Sequence, residues 1–576
     1  MSTLRIQGRR DFSRSPFPLR PRWGVPRRSW HTHYPHDVPP GLDFQPMRVE
    51  QLLINATQLF PDRIALRYHR THWTYQELLN RTQQVASNLL RLGIQPGHRV
   101  MLVLPNCPEF VTAWFALHWI GAEVIQVNPL LCSRDLTYLA THSQTTAVFG
   151  LDFRLEPTLE MARECQIPLL VISSLSSHLP MQLRWPYRIK CWLQGSPYTL
   201  PRTDVCMFDE LFRDTTIPLE TPLQSNHELP AVLQPTGGTT GTPKIAVLTH
   251  KNLQSNVAQL HAWSGLSAGE EVVLSVLPFF HVFGSTVSLL SSIAGGSTLL
   301  LHANFNPSRV WNDMQKWQPN VAPMVPFMFV SLCEEMRRRN ANITGLEYCF
   351  SGAAPLNPDV KSEFQERTGA LILEGFGLSE ASPVTHVNHP GQTAEVGGIG
   401  LPLPDTEARI VDPTTGQHTM PPGEVGELVI RGPQVMSEYL DDPQETDCAL
   451  RDGWLYTGDL ASVDQRGFFT LVDRKKDMII SGGLNVYPNE VESVLRAHPA
   501  VSDCTVVGLP DPKFGESVVA FVVPEPQIQL SAEKLKVFCQ QNLAAYKIPR
   551  TIELRPTLPR TFLGKVRRVE LRQDAA

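Results

Sequence analysis

The sequence predicts an α/β protein with a large N-terminal domain and a small C-terminal one, and three observations carry that reading. A chain of 576 residues is longer than one hydrophobic core supports. From Arg48 to about Phe149, helical and strand patterns alternate, which implies parallel βαβ units with right-handed crossovers. At Asp473 to Asp477 (Asp-Arg-Lys-Lys-Asp) a charge run separates two apolar strands, and a compact βα unit follows, so the run reads as a hinge. The resulting boundaries are an Arg/Pro-rich extension at 1–47, a main domain at 48–472, a hinge at 473–476 and a C-terminal domain at 477–576.

Apolar content of 42%, charged content of 19% and a net charge of −5 describe a folded chain with no electrostatic footprint for nucleic acid. Ten Cys without a C-x-x-C pair indicate neither a zinc ribbon nor a disulfide framework, and fit buried thiols in a reducing cytoplasm. The first forty residues hold eight Arg, no Lys, two Asp and the prolines Pro16, Pro18, Pro21 and Pro26. Such a start has the composition of an organelle transit peptide, but its prolines spoil the amphipathic helix, so a disordered extension is expected. No secretory h-region follows. Val272 to Ser308 lacks Asp, Glu, Lys and Arg, yet Pro278, His281 and Gly295-Gly296 break it into strand, turn, core helix and strand rather than a membrane span.

In order, Gln51 to Phe60 reads as a helix and Ile64 to Tyr68 as a strand. Thr74 opens a helix with Glu77 at capping-box spacing, and Gly93 stops it. Strand Arg99–Leu104, helix Pro108–Trp119 and strand Val124–Val127 follow. Gln166 to Asp209, rich in Pro, Ser and Trp, reads as irregular surface excursions. Leu229 to Gln234 and Ile245 to Leu248 are strands flanking Thr236 to Lys244, which packs three Gly, four Thr and one Lys into nine residues. Gly lets the backbone approach a ligand, Thr supplies hydroxyls and Lys a mobile charge, a mixture suited to triphosphate oxygens. The same composition also makes an ordinary hairpin turn, and the Walker spacing is missing.

Helix Leu253–Trp263 leads to strand Glu271–Leu277, which ends at Pro278-Phe-Phe-His281. A His at a strand's C-terminal end is where open α/β sheets place ligand contacts, although a core His reads the same way. Ser351 to Pro355 is a tight turn. Glu374 to Glu380 (Glu-Gly-Phe-Gly-Leu-Ser-Glu) places an acid beside flexible backbone, and facing a nucleotide such an acid acts through Mg²⁺; otherwise it is a solvated Glu at a helix start. Asp459 follows Gly458 and has the two acceptor oxygens a ribose diol needs. The C-terminal unit reads as Met478–Ile480, helix Pro488–Ala497, strands Val501–Leu509 and Val518–Val523, and helix Leu535–Leu543. Lys565 follows Gly564 on an exposed loop.

Five motifs in this order, Thr236–Lys244, Ser351–Pro355, Glu374–Glu380, Tyr456–Leu460 with Asp473–Lys476, and Gly564-Lys565, resemble the adenylate-forming (AMP-binding) superfamily from about residue 48 to 572. Gly400 to Arg409, Gly432 to Met436, Asp473 to Met478 and Asn485 to Asn489 are similar to bacterial long-chain fatty-acid–CoA ligases. The resemblance implies a β-barrel-like subdomain within the main domain and a mobile α+β C-terminal lid. It implies ATP, Mg²⁺ and coenzyme A: a carboxylate attacks the α-phosphate to give acyl-AMP and pyrophosphate, the lid turns, and the CoA thiol displaces AMP. By position, Thr236, Gly237, Gly238, Thr239, Thr240, Gly241 and Lys244 cradle phosphates. Ala353, Glu374, Gly375 and Phe376 belong to the adenine pocket, Ser379 meets the α-phosphate, and Glu380 with Thr236 holds Mg²⁺. Asp459 and Arg474 bind ribose, Lys565 bridges carboxylate and α-phosphate, and His281 joins the catalytic set. Lys476 and the Gly482-Gly483 loop serve the thioester half, and Trp263 sits where related enzymes place an acyl gate. Ile245 after the loop Lys, and Phe562 and Leu563 before Gly564, depart from the family pattern. An aryl-acid ligase of coumarate type, a ligase loading a carrier protein, and a non-catalytic nucleotide binder are the other readings. The substrates expected are small molecules, in a cytoplasmic protein with room for a homodimer and for peripheral attachment at the inner face of a membrane.

Overall fold

The computed structural model describes residues 19–574 except 23, 154, 180, 194–204, 214–218, 237–242, 267, 389–397, 482–483, 512–513, 527 and 562–563. The residues Gly237, Gly238, Thr239, Thr240 and Gly241, the Gly482-Gly483 loop, and Phe562 with Leu563 therefore lie outside the described residues.

Among these, an eight-stranded sheet joins Pro230–Thr236, Glu123–Gln126, Arg99–Leu102, Ala147–Leu151, Leu169–Ser173 and Val205–Met207 in parallel order, with Lys244–Thr249 and Glu438–Tyr439 antiparallel at one edge. A second sheet runs parallel through Ile64–Tyr68, Thr298–Leu301, Val272–Ser275, Val321–Met324, Tyr348–Ser351 and Leu371–Gly377. It continues as antiparallel strands through Val384–Val387, Gly398–Pro402, Phe469–Arg474, Trp454–Val463, Gly426–Arg431 and Glu407–Val411. Helix Pro108–Trp119 is buried at every position, which is why its sequence is apolar on all faces. Thr74 and Glu77 form the expected capping box: Glu77 N–H donates to Thr74 Oγ1 at 3.1 Å and Thr74 N–H to Glu77 Oε2 at 2.8 Å. The charge-free stretch resolves into strand Val272–Ser275, a wide-turn π-helix Phe283–Leu290 continued by Ser291–Ala294, and strand Thr298–Leu301. Among the described residues no helix is long and apolar enough to cross a membrane.

The small domain is a five-stranded sheet carrying helices Pro488–Arg496, Ala532–Asn542 and Arg568–Asp574. All ten cysteines are free thiols.

Two segments differ from expectation. Residues 20–22 and 24–43 are held to the body rather than disordered: Arg20–Arg22 pairs with Gly41–Asp43, Trp30 is buried against Phe469, and Tyr34 sets its ring edge against Trp263 with centroids 5.1 Å apart. Arg22 and Arg28 pair with Asp405 and Glu407, so their charges are spent on the protein itself. The stretch read as irregular contains strand Leu169–Ser173, the 3-10 turn Leu175–His178, helix Met181–Leu193 and strand Val205–Met207. Pro186 inside that helix hid it, because Pro removes a backbone donor and ordinarily ends a helix.

Candidate active site

Neighbouring parallel strands of the second sheet release their C-terminal ends on one side. Val272–Ser275 leads to His281, Tyr348–Ser351 to the turn at Gly352-Ala353, and Leu371–Gly377 to Ser379 and Glu380. In open α/β sheets this edge is where ligands bind. The backbone there is crowded. A Cβ on Gly377 would sit 2.1 Å from Pro383 O, and one on Gly352 would meet Phe283 Cζ at 2.9 Å. Ala353 adopts φ 74, in the left-handed region, which its small side chain tolerates at a modest cost.

His281 Nδ1 accepts from Phe283 N–H at 3.3 Å, which leaves the imidazole proton on Nε2. Burial, and then the charge of Lys565, pull its pKa down to about 4, so the ring is neutral at neutral pH. Glu380 Oε1 accepts from Tyr439 O–H at 2.8 Å, and Glu380 O accepts from Met436 N–H at 2.7 Å. Burial first, then the Glu380 charge, push the Tyr439 phenol up, keeping it a donor. Lys244 pairs with Glu445 and lies 4.9 Å from the Tyr439 ring. Thr236, its register partner across the hairpin, donates Oγ1–H to Lys244 O at 3.4 Å. Ile245, the departure after that Lys, is buried in the core opposite Pro235, with the strand register continuous around it.

Asp459 and Arg474 face each other on adjacent strands, with Arg474 Nε 2.8 Å from Asp459 Oδ1. The second oxygen, Oδ2, is buried and has no hydrogen-bond partner among the described residues. Burial raises the Asp459 pKa, opposed by Arg474 and then Lys565. Lys565 arrives from the small domain on a tight loop, where Thr561 N–H donates to Lys565 O at 2.7 Å and Lys565 N–H to Thr561 Oγ1 at 3.1 Å. The loop touches the main domain: a Cβ on Gly564 would lie 3.2 Å from Phe327 Cδ1. Lys565 is exposed, yet the protein around it still desolvates its ammonium. Burial, then the Arg474 charge, bring its pKa down to about 8. Burial and Arg474 also lower Lys476.

Lys565 thus lies within electrostatic reach of Arg474, Lys476, Asp459 and His281, and Asp459 within reach of Glu380, where the small domain meets the main one. Cations from both domains beside an unpartnered carboxylate oxygen suit a polyanion that also carries hydroxyls. Ser379 and Phe376 border this edge. Glu374 is engaged elsewhere: Lys361 Nζ lies 2.8 Å from its Oε1 and Leu356 N–H donates to Oε2 at 3.3 Å, so only its backbone is left to line this edge. Sequence reading did not find Tyr439, Glu445 or the pair Lys475–Glu427 at 2.7 Å, because their partners are far away in the chain and no local pattern marks them.

A large α/β domain followed by a small one, with Lys565 of the small domain near Asp459 and Arg474, is the architecture of an acid-activating enzyme. The chain belongs to the AMP-binding enzyme family: that model matches residues 54–440, and the AMP-binding enzyme C-terminal domain matches 490–565. It is 36% identical over 554 residues to the long-chain-fatty-acid–CoA ligase of Bacillus subtilis (strain 168), covering 95% of this chain and 98% of the relative. It is 31% identical over 523 residues to a feruloyl-CoA synthase of Amycolatopsis sp, covering 90% and 97%. Among solved structures it is similar to ATP-bound MatB from Rhodopseudomonas palustris, with TM-score 0.79, 25% identity, and 92% and 99% of the two chains covered.

Proposed function

We propose that this protein is an AMP-forming fatty-acid–CoA ligase that activates long-chain acids as acyl-AMP and passes the acyl group to coenzyme A. The observation that carries the proposal is the loop of Lys565, packed on Phe327 of the main domain, which brings that lysine within electrostatic reach of Lys476 and of the Arg474–Asp459 pair at 2.8 Å. Attack of a carboxylate on an α-phosphate brings two anions together, and fixed positive charge offsets that repulsion. Lys565 neutralises the carboxylate and the α-phosphate, and Ser379 donates to the same phosphate. Lys244, with Thr236 and the Gly/Thr loop that precedes it, binds the outer phosphates. Asp459 offers its buried Oδ2 to a ribose hydroxyl, and Gly375, Phe376, Ala353 and the Glu374 backbone border the base. His281, neutral and protonated on Nε2, donates without adding charge.

Mg²⁺ fits the donor set, since Glu380 and Thr236 supply only hard oxygens and nucleotide phosphates and water complete such a shell. Bound there, Mg²⁺ would neutralise phosphate charge. Asp473 serves as the pivot, and Lys476 with Gly482-Gly483 serves the thioester half of the reaction. Trp263, fully buried with Nε1–H donating to Asn388 O at 3.3 Å, is the acyl gate of this reading. Peripheral membrane attachment and a homodimer are expectations of the same reading.

The test is AMP release with acids from butyrate to stearate, plus coumarate and benzoate, with and without coenzyme A. A CoA-dependent maximum on the long acids is expected. A maximum on coumarate would move the chain to the feruloyl-type branch, to which it is also related. Pyrophosphate exchange without CoA-dependent turnover would name a carrier protein as acceptor.

A further inference from the structure

Helix Met181–Leu193 presents an apolar stripe to solvent. Met181 is 76% exposed, Trp185 70%, Ile189 52% and Leu193 71%. Spaced four apart, they share one face of the helix. The opposite face holds the helix to the body: Cys191 is buried, and Tyr187 O–H donates to Asp152 Oδ1 at 2.5 Å. Between the two faces stand Arg184 and Arg188 on one flank and Lys190 on the other, all exposed, and the helix contains no acidic residue. A soluble surface helix ordinarily turns its apolar face inward; this one turns it outward, with a tryptophan at its centre.

We infer that this helix is a bilayer-docking surface, which seats Met181, Trp185, Ile189 and Leu193 among acyl chains while Arg184, Arg188 and Lys190 meet anionic headgroups. An apolar stripe flanked by basic side chains is the pattern of helices that lie in the plane of a membrane interface, with Trp at the headgroup boundary. A second copy of the chain fits less well. Four side chains on 13 residues fall short of the roughly 800 Å² per partner of a stable interface, and self-pairing would set like charges together. A bilayer is also where a long-chain acid partitions. In this respect the inference rests on the function proposed above and adds the surface through which substrate is met.

Flotation of the full-length protein with phosphatidylcholine vesicles, with and without phosphatidylglycerol, tests it. Binding is expected on the anionic vesicles, weakening as salt rises from about 0.02 M to about 0.5 M. The double variant Trp185→Glu/Ile189→Glu, changed only at exposed positions, should lose at least about tenfold of that binding. It should keep wild-type turnover on octanoate in vesicle-free solution. No vesicle binding by the wild type, or equal binding by the variant, overturns the inference. So does binding that disappears when residues 1–18 are removed but survives in the variant, and so does a dimer that the variant abolishes while vesicle binding persists. If vesicles bind but no acid is activated, the ligase reading fails and the docking surface stands. If acids are activated and vesicles are ignored, the reverse holds.

Discussion

Lys565 is the side chain that the proposed mechanism draws from the small domain. Its pKa of about 8 means that its charge is lost within the working range of pH rather than near 10.5. A lysine whose folded value is depressed is protonated below that value, so its electrostatic contribution to adenylation is full at pH 7 and fades as pH rises through about 8. Pyrophosphate exchange without coenzyme A, which removes thiol ionisation from the profile, should show a basic limb near pH 8. Lys565→Arg, whose guanidinium stays charged, should move that limb upward whatever its absolute rate. Lys565→Ala should cost about 10²–10³-fold in exchange, the scale for losing one key electrostatic contact. It should leave thioester formation from pre-made acyl-AMP far less affected. A limb unmoved in the Arg variant, or equal loss in both half-reactions in the Ala variant, would remove Lys565 from the role assigned to it. His281 titrates at about 4 and adds no limb above neutrality.

Between elements, Arg568 gathers three carboxylates beside the Asp473–Lys476 stretch, two of which Arg496 and Arg572 also hold. Arg568, opening the last helix, lies 2.7 Å from Glu492 on helix Pro488–Arg496, 3.2 Å from Asp477 and 3.5 Å from Asp473 at the strand end. Burial alone would push Glu492 and Asp477 up, but Arg568, joined by Arg496 at Glu492 and Arg572 at Asp477, overrides it and both are held below the ordinary carboxylate range. Their stabilisation is therefore present at neutral pH and is lost as pH falls through those lowered values. Arg568→Ala would take the arginine from Asp473 and one of two from Glu492 and Asp477, which keep Arg496 at 3.0 Å and Arg572 at 2.8 Å, so the loss should fall below the roughly 3–5 kcal/mol of a buried carboxylate left bare. Denaturant unfolding should show that loss, with a smaller one for Arg568→Lys; an unchanged midpoint would refute the clamp. None of this was legible beforehand. Thr74 with Glu77, strand Ile64–Tyr68 and the turn at Ser351 could be read because spacing of three or period two is local information. Lys565, Asp459 and Arg474 could be singled out because motif order marks their positions, and the fold brings them near one another. Arg568 with Asp473, and Glu380 with Tyr439, are bonds between residues 95 and 59 positions apart, which no window contains. Helix Met181–Leu193 was missed for the opposite reason, since its Pro gave a strong local signal that tertiary context overrode.

At the scale of the molecule, the N-terminal segment acts as a strap over the main domain. Its prolines suggested disorder because composition counts only what a segment can bury in itself, and here the burial is supplied by distant partners. Trp30 packs on Phe469, and the Gly467 backbone passes so close that a Cβ there would come within 2.9 Å of Trp30 Cβ. Tyr34 joins two elements: its hydroxyl donates to Pro402 O and its ring edge meets Trp263. The ion pairs Arg22–Asp405 and Arg28–Glu407 lie near the surface and contribute at most about 1 kcal/mol each. The aromatic burial carries more, roughly 1.5–3 kcal/mol for each ring. Removing residues 1–47 should thus destabilise the main domain by roughly 3–6 kcal/mol, seen as a lower thermal midpoint. If Trp263 gates the acyl site, the strap is one wall of the gate's seat. The truncated enzyme and Tyr34→Ala should then shift chain-length preference in the same direction as Trp263→Ala, with turnover on short acids preserved. Rates across the acid series, measured on all three, decide it. A truncated protein with the wild-type midpoint would show that the strap carries no load. Loss of stability with an unchanged acyl profile would confine the strap to holding the fold and separate it from substrate choice.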